Sequence, residues 1–178
     1  MSRVAHYLER WLEISAGFVA TQIQHSRHPG VVISRDGWLN LDAFPHRPRH
    51  SLQRTRHLPD RWQSPAVRRQ LDALLAARRI ELVHVHFGYA ANDVVDLANP
   101  ARPIVLSLHG HDVTGLVHDR PQHYSRVVGA VDAVIVPSMF LADAAVAAGF
   151  DRERLSVIPG GVDTAFFTPS AQPSGPPV

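Results

Sequence analysis

Apolar positions along this chain fall into short dense runs, separated by stretches with helical spacing. The runs are residues 3–7 (RVAHY), 30–34 (GVVIS), 81–87 (ELVHVHF), 103–109 (PIVLSLH), 132–137 (DAVIVP) and 154–160 (RLSVIPG). They are β-branched and aliphatic with little alternation, as strands covered on both faces are. A helix signal follows the first run, with Ser15 as its cap. Further on, Ser64 and Pro65 form a cap and first-turn proline. Val67, Leu71, Leu74 and Leu75 then recur at helical spacing until Arg78 and Arg79 close the helix at its negative end. The segment SMFLADAAVAAGF opens on Ser138 as a cap and stops at Gly149. Residues 35–63, rich in Pro, His and Arg, show no periodicity and read as an excursion with one weak strand. Strands alternating with helices across short joints predict an α/β fold, a Rossmann-like doubly wound parallel sheet. Such sheets bind ligands beyond the carboxyl ends of their strands, so the residues just after each run are the candidates for function.

Composition narrows the picture. With 178 residues, 45% of them hydrophobic, the chain suits one domain, placed at 1–167. Residues 168–178 are Pro- and Ser-rich and read as a linker or tail that implies something after it. The absence of cysteine removes disulfides and thiolate metal sites, and fits a cytoplasmic location. Glu9, Arg10 and Glu13 interrupt what a signal peptide would keep apolar, and no window reaches the roughly 20 apolar residues of a membrane span. Every basic residue is arginine, and half of them lie between Arg47 and Arg79 against Asp60 and Asp72 alone. A solvated loop and helix face is the simpler reading of that span. The functional one is an anionic partner, with peripheral contact at the inner membrane face. Trp62 is the one aromatic residue there, so no nucleic-acid platform is expected.

The strand ends hold the candidate chemistry. After the first strand, the loop from Glu9 to Gly17 could hold a phosphate on backbone N–H groups, with Gly17 permitting close approach. Asp36 could serve as the acidic partner of a ribose, but the three spaced glycines of a dinucleotide site are missing, so no hydride-transfer cofactor is expected. His84 and His86 lie two apart on one strand face, and His109 and His111 repeat the spacing near the next strand end. Four imidazoles could gather a metal and support a metal-dependent hydrolase. Without a supporting carboxylate cluster beyond Asp112, packed or hydrogen-bonded histidines are the commoner outcome, and no metal is predicted. His109 either caps a loop carbonyl or, with the Gly110 N–H, faces a polar ligand. No G-x-S-x-G elbow, P-loop lysine or H-E-x-x-H is present.

Four stretches, RVAHYLERWLEISAGFVATQI, LVHVHFGYAA, LSLHGHDVTG and VDAVIVPSMFLADAAVAAGFDRERLSVIPGGVDTAFFTP, resemble the N-terminal half of a family 4 retaining glycosyltransferase of the GT-B type. The last is the most specific, since in such enzymes it leads from the first Rossmann-like domain into the second. The resemblance implies retaining transfer of a sugar from a nucleotide-sugar donor to a glycan or lipid-linked acceptor, with no metal required. It implies that His109 contacts the transferred sugar and that Gly110 and Asp112 shape the cleft floor. Ser15, Ala16 and Gly17 would lie near the donor phosphates or the acceptor, His86 and Gly88 would line the acceptor side, and Ser138 would cap a helix facing the cleft. Relatives that build bacterial surface polysaccharides often read SETF where this chain has SAGF, which removes a carboxylate and a hydroxyl from the first loop. The donor is held mainly by a C-terminal domain in this family, so residues 1–178 are expected to need one, in cis or in trans, and to turn over donor feebly alone. A non-catalytic Rossmann-like module that binds a glycan or a partner domain is the alternative.

Overall fold

The computed structural model of the chain describes residues 2–28, 30–46, 48–52, 60–162 and 164. Seven strands, β1 (Val4–Leu8), β2 (Gly30–Ser34), β3 (Arg49–Ser51), β4 (Leu82–His86), β5 (Ile104–Ser107), β6 (Ala133–Val136) and β7 (Leu155–Val157), form one sheet in the order β3-β2-β1-β4-β5-β6-β7. Every pairing is parallel. The strand order reverses between β1 and β4, and a crevice opens at such a switch point. The predicted doubly wound Rossmann-like sheet is therefore present.

Four α-helices accompany the sheet: α1 (Gly17–Gln24), α2 (Asp60–Ala77), α3 (Gly115–Asp119) and α4 (Met139–Ala147). One face is a continuous apolar layer in which Ala5, Tyr7, Val83, Val85, Ile104, Leu106, Val134 and Val136 pack against Val67, Leu71 and Leu75 of α2 and Leu141 and Ala145 of α4. On the other face Leu8, Trp11, Leu12 and Val32 pack beneath Val19 and Ile23 of α1. Burial of these aliphatic groups, at about 25 cal/mol per Å² of apolar surface, drives assembly of both layers.

Several local expectations change. Ser15 does not cap α1: residues Ile14–Ala16 form a separate 3₁₀ turn, and Ala16 precedes the helix without a side-chain hydrogen bond. Instead of starting behind Ser64, α2 begins at Asp60 and carries Pro65 inside. That proline opens the second turn, so it removes a single hydrogen bond close to an end whose first N–H groups have no partner anyway. The β4–β5 crossover is made of 3₁₀ turns, Gly88–Asp93 and Val95–Leu97, because small buried residues (Gly88, Ala90, Ala91) let the backbone itself lie on the core. At α4 the expected Ser138 cap is formed, with Oγ accepting from Leu141 N at 3.3 Å, and Gly149 takes a left-handed φ of 99°. The weak strand of the excursion is β3, a three-residue edge. Residues 168–178 lie outside the described residues, as do Arg47, residues 53–59 and the side chains of 60–64, which together are 13 of the 33 positions of the proposed membrane-facing span. Among the described residues no helix is long and apolar enough to cross a membrane.

Candidate functional site

The carboxyl ends of β1, β4 and β5 meet at the switch point, and one buried carboxylate fastens two of them. Asp112, 1% exposed, accepts from the backbone N–H of His109 (2.9 Å), Gly110 (2.8 Å) and Gly88 (3.0 Å). Tyr124 Oη donates to the Asp112 carbonyl from below. The Asp-two-residues-after-Gly arrangement in HGHD is thus an internal staple joining the β5 end to the start of the β4–β5 crossover. Asp112, expected to shape a cleft floor, is instead turned beneath its own loop and presents no surface. Gly88 is enclosed as well, since a Cβ there would sit 1.7 Å from Tyr124 Oη.

Above this staple, His109 is half-buried among aromatic rings. Its ring centroid lies 4.9 Å from Phe18 of α1, 4.6 Å from Phe87 and 6.1 Å from the nearly parallel ring of His86. Its Nε2 is buried without a partner among the described residues. Burial lowers its pKa from the ordinary histidine value against the opposing pull of Asp112, so the ring is a neutral imidazole at pH 7, able to donate from one nitrogen and accept at the other. Gly110, at φ +147°, has open space where a side chain would stand. Phe87 holds a left-handed φ of 69°, costly for an aromatic residue, and this turn carries its ring over His109.

Two grooves flank these rings. One of about 430 Å³ is lined by Glu9, Arg10, Glu13, Ser15 and Ala16 of the first loop and by Phe87 and Tyr89. The other, about 420 Å³, runs between Phe18 and Thr21 of α1, His25 just after it, and Gly160, Gly161 and Val162 after β7. The contact between Phe18 and Phe87 rings stands between them. Gly17 belongs to the wall rather than the lumen, because a Cβ there would meet Phe44 at 2.8 Å. Behind the first groove Arg35 pairs with Glu9, with Asp36 (3.0 Å) and with Asp93 (2.9 Å), and Asp93 accepts from Tyr7 Oη at 2.9 Å. Asp36, considered for a ribose, thus faces Arg35.

The structure therefore gathers Ser15, Ala16, Gly17, His109 and Gly110 at one end of the sheet. His86 is a different case: it is fully buried and lies against His6, with 3.1 Å between His86 Nε2 and His6 Nδ1, so it lines no groove. Ser138 caps α4, and the two residues after it, Met139 and Phe140, are exposed. The four-imidazole gathering weighed above, and not expected, does not form, because His111 is exposed and bonded to Tyr89 Oη at 2.7 Å. Sequence reasoning passed over Phe18, Phe87, Tyr89 and Arg35. Phe87 and Tyr89 flank Gly88 in sequence, and the alternation of a strand running to its end was the available signal.

Comparison with known proteins now decides the family. The sequence matches the family model for Glycosyltransferase Family 4 over residues 12–166. This chain belongs to glycosyltransferase family 4. A sequence comparison with curated proteins found no match. Among solved structures, Anabaena HepE in complex with UDP and glucose is similar with a TM-score of 0.71 at 17% identity, over 96% of this chain and 47% of that one. Neisseria meningitidis UDP-GlcNAc 2-epimerase bound to UDP-GlcNAc gives 0.62 at 12% identity, over 88% and 45%. The S. aureus MnaA–UDP structure gives 0.63 at 16% identity, over 88% and 43%. At these identities the likeness is one of fold, a Rossmann-like domain of the GT-B type. The chain spans less than half the length of these solved structures.

Proposed function

We propose that the strand-end surface of this family 4 chain is the acceptor-side wall of a glycosyltransferase cleft. A sugar passes from a nucleotide-sugar donor to a hydroxyl of a glycan or lipid-linked acceptor. The observation that carries this reading is the half-buried His109, set between two grooves at the sheet's switch point with its loop clamped by Asp112. The matched family and the UDP- or sugar-bound structures of like fold support a nucleotide sugar as donor. No cofactor or metal is invoked.

In this mechanism the bond from the anomeric carbon to the donor phosphate breaks as the acceptor oxygen bonds to that carbon from the same face. The acceptor's proton passes to the departing phosphate oxygen, and configuration is retained. Positioning and electrostatics carry such a step without a protein nucleophile. His109 contacts the transferred sugar, and the open backbone at Gly110 admits its hydroxyls. The groove of Ser15, Ala16, Phe87 and Tyr89 takes the acceptor, where aromatic rings supply apolar platforms and Glu13 a hydrogen-bond acceptor. The leaving phosphates call for a second Rossmann-like domain across the cleft, in cis or in trans, as the roughly doubled length of the similar structures suggests.

The test is labelled-sugar transfer to a lipid-linked acceptor, measured for residues 1–178 alone and joined to a second family 4 domain. The joined protein transfers, the 178 residues alone do so feebly, and His109→Ala lowers the joined rate by about 100-fold, the size of a lost transition-state donor. NMR of the product reads the anomeric configuration. Transfer indifferent to His109→Ala removes the proposal, and inertness despite a second domain favours a non-catalytic glycan-binding module.

A further inference from the structure

Below the strand ends lies a group of three imidazoles that the transfer reaction does not use. His6 on β1 and His84 on β4 are register partners in neighbouring parallel strands, and His86 follows His84 by two residues. All three rings therefore leave the same face of the sheet. One nitrogen from each ring lies within 4.8 Å of one from each of the other two. The closest pair, His6 Nδ1 and His86 Nε2, is 3.1 Å apart, and the His84 and His86 rings stack at 4.2 Å.

A plain core role explains this group poorly. The residues of β4 that face the opposite layer, Val83 and Val85, fill it with aliphatic groups and leave nothing unpaired. The imidazoles instead leave two buried nitrogens, His6 Nε2 and His86 Nδ1, without a partner among the described residues. Whichever ring donates in the His6–His86 contact, each keeps a desolvated nitrogen that water would otherwise satisfy.

We propose that His6, His84 and His86 form a binding site for one divalent transition-metal ion of the Zn²⁺ class, clasping β1 to β4 at the switch point. Three nitrogen donors with no carboxylate among them suit Zn²⁺ and its borderline neighbours rather than Mg²⁺ or Ca²⁺. Tetrahedral bonds of about 2.0–2.1 Å place ligand nitrogens about 3.4 Å apart, against 3.1 Å for the closest pair here and no more than 4.8 Å for the others. Ser107 Oγ, 2.7 Å from His84 Nε2, can fix the tautomer of that ring. Entry is from the thinly covered side, where His84 and its neighbours on the same face, Leu82, Val105 and Ala133, are half-buried. Water or hydroxide takes the fourth position. The site is independent of the sugar-transfer reading.

The test uses the full chain, stripped by chelator and titrated with Co²⁺. One equivalent binds and gives the intense visible absorption of a tetrahedral cobalt site, Zn²⁺ displaces it, and Zn²⁺ raises the Tm of the unmodified protein. His84→Gln, at the half-buried member, weakens binding at least tenfold, whereas the His25→Asn/His28→Asn double variant in the exposed turn after α1 leaves it unchanged. A weak octahedral spectrum, no change in Tm, or binding that survives His84→Gln overturns the proposal.

Discussion

The two faces of the sheet bury very different surfaces. Under α2 and α4 the layer is aliphatic throughout, from Ala5 and Tyr7 across to Val134 and Val136. Under α1 the same strands bring in His6, His84 and His86, while Leu82, Val105, Ala133 and Ile135 stay half-buried. The first face supplies area and therefore stability. The second gives up area to carry polar groups directly beneath the strand ends where His109 and the grooves lie. Among the described residues, polar burial is thus concentrated near the switch point, on the α1 face of the sheet.

Acid probes that asymmetry most severely. Unfolded imidazoles take up protons near pH 6.5, whereas His84 and His6 in the folded, metal-free chain resist until about pH 4 and 3. Their contribution is complete above pH 6.5 and is lost as the pH falls toward those values, at up to about 1.4 kcal/mol per pH unit for each ring. Urea denaturation in the presence of chelator reads several kcal/mol less stability at pH 4.5 than at pH 7.5; an equal midpoint at both would show that the α1 face is not sealed around its histidines.

Next in size is Asp112→Ala, which strands the N–H groups of Gly88, His109 and Gly110 and costs about 4 kcal/mol in the same measurement. Asp112→Asn, which keeps one acceptor oxygen, recovers part of it. On the aliphatic face Leu106→Ala opens a cavity and costs about 3 kcal/mol. Ser138→Ala removes the cap of α4 and costs about 1 kcal/mol, read as a shift in urea midpoint. The smallest change is expected from His6→Leu/His86→Leu in chelator, within about 1 kcal/mol of the parent, because both ends of one buried contact leave together. A loss as large as that of Leu106→Ala would mean that the imidazoles carry the fold as much as the aliphatic layer does.

Much of this architecture was legible in the chain. Gly30–Ser34 emerges with the predicted limits, and Ser138 and Gly149 bound α4 as their chemistry requires, since caps and left-handed stops are local features. Less legible were helix starts set by packing. Ser15 has the chemistry of a cap but lies within a 3₁₀ turn one residue before Ala16, and α2 runs back to Asp60 past Pro65. At the site, HGHD announced a polar strand end. It did not announce which of its groups face inward, because Asp112 is turned under its own loop by three N–H donors from two strand ends.

The sequence by itself determined the parallel α/β class, the placement of the strand ends and the family, because periodicity, caps and glycines act over a few residues. Tertiary structure alone decided that His86 is interior while its neighbour Phe87 reaches His109, and that His6 joins His84 and His86 across 78 residues of chain. Strand order and register choose such partners. They are set by the way the whole sheet buries its apolar faces, which no local pattern encodes.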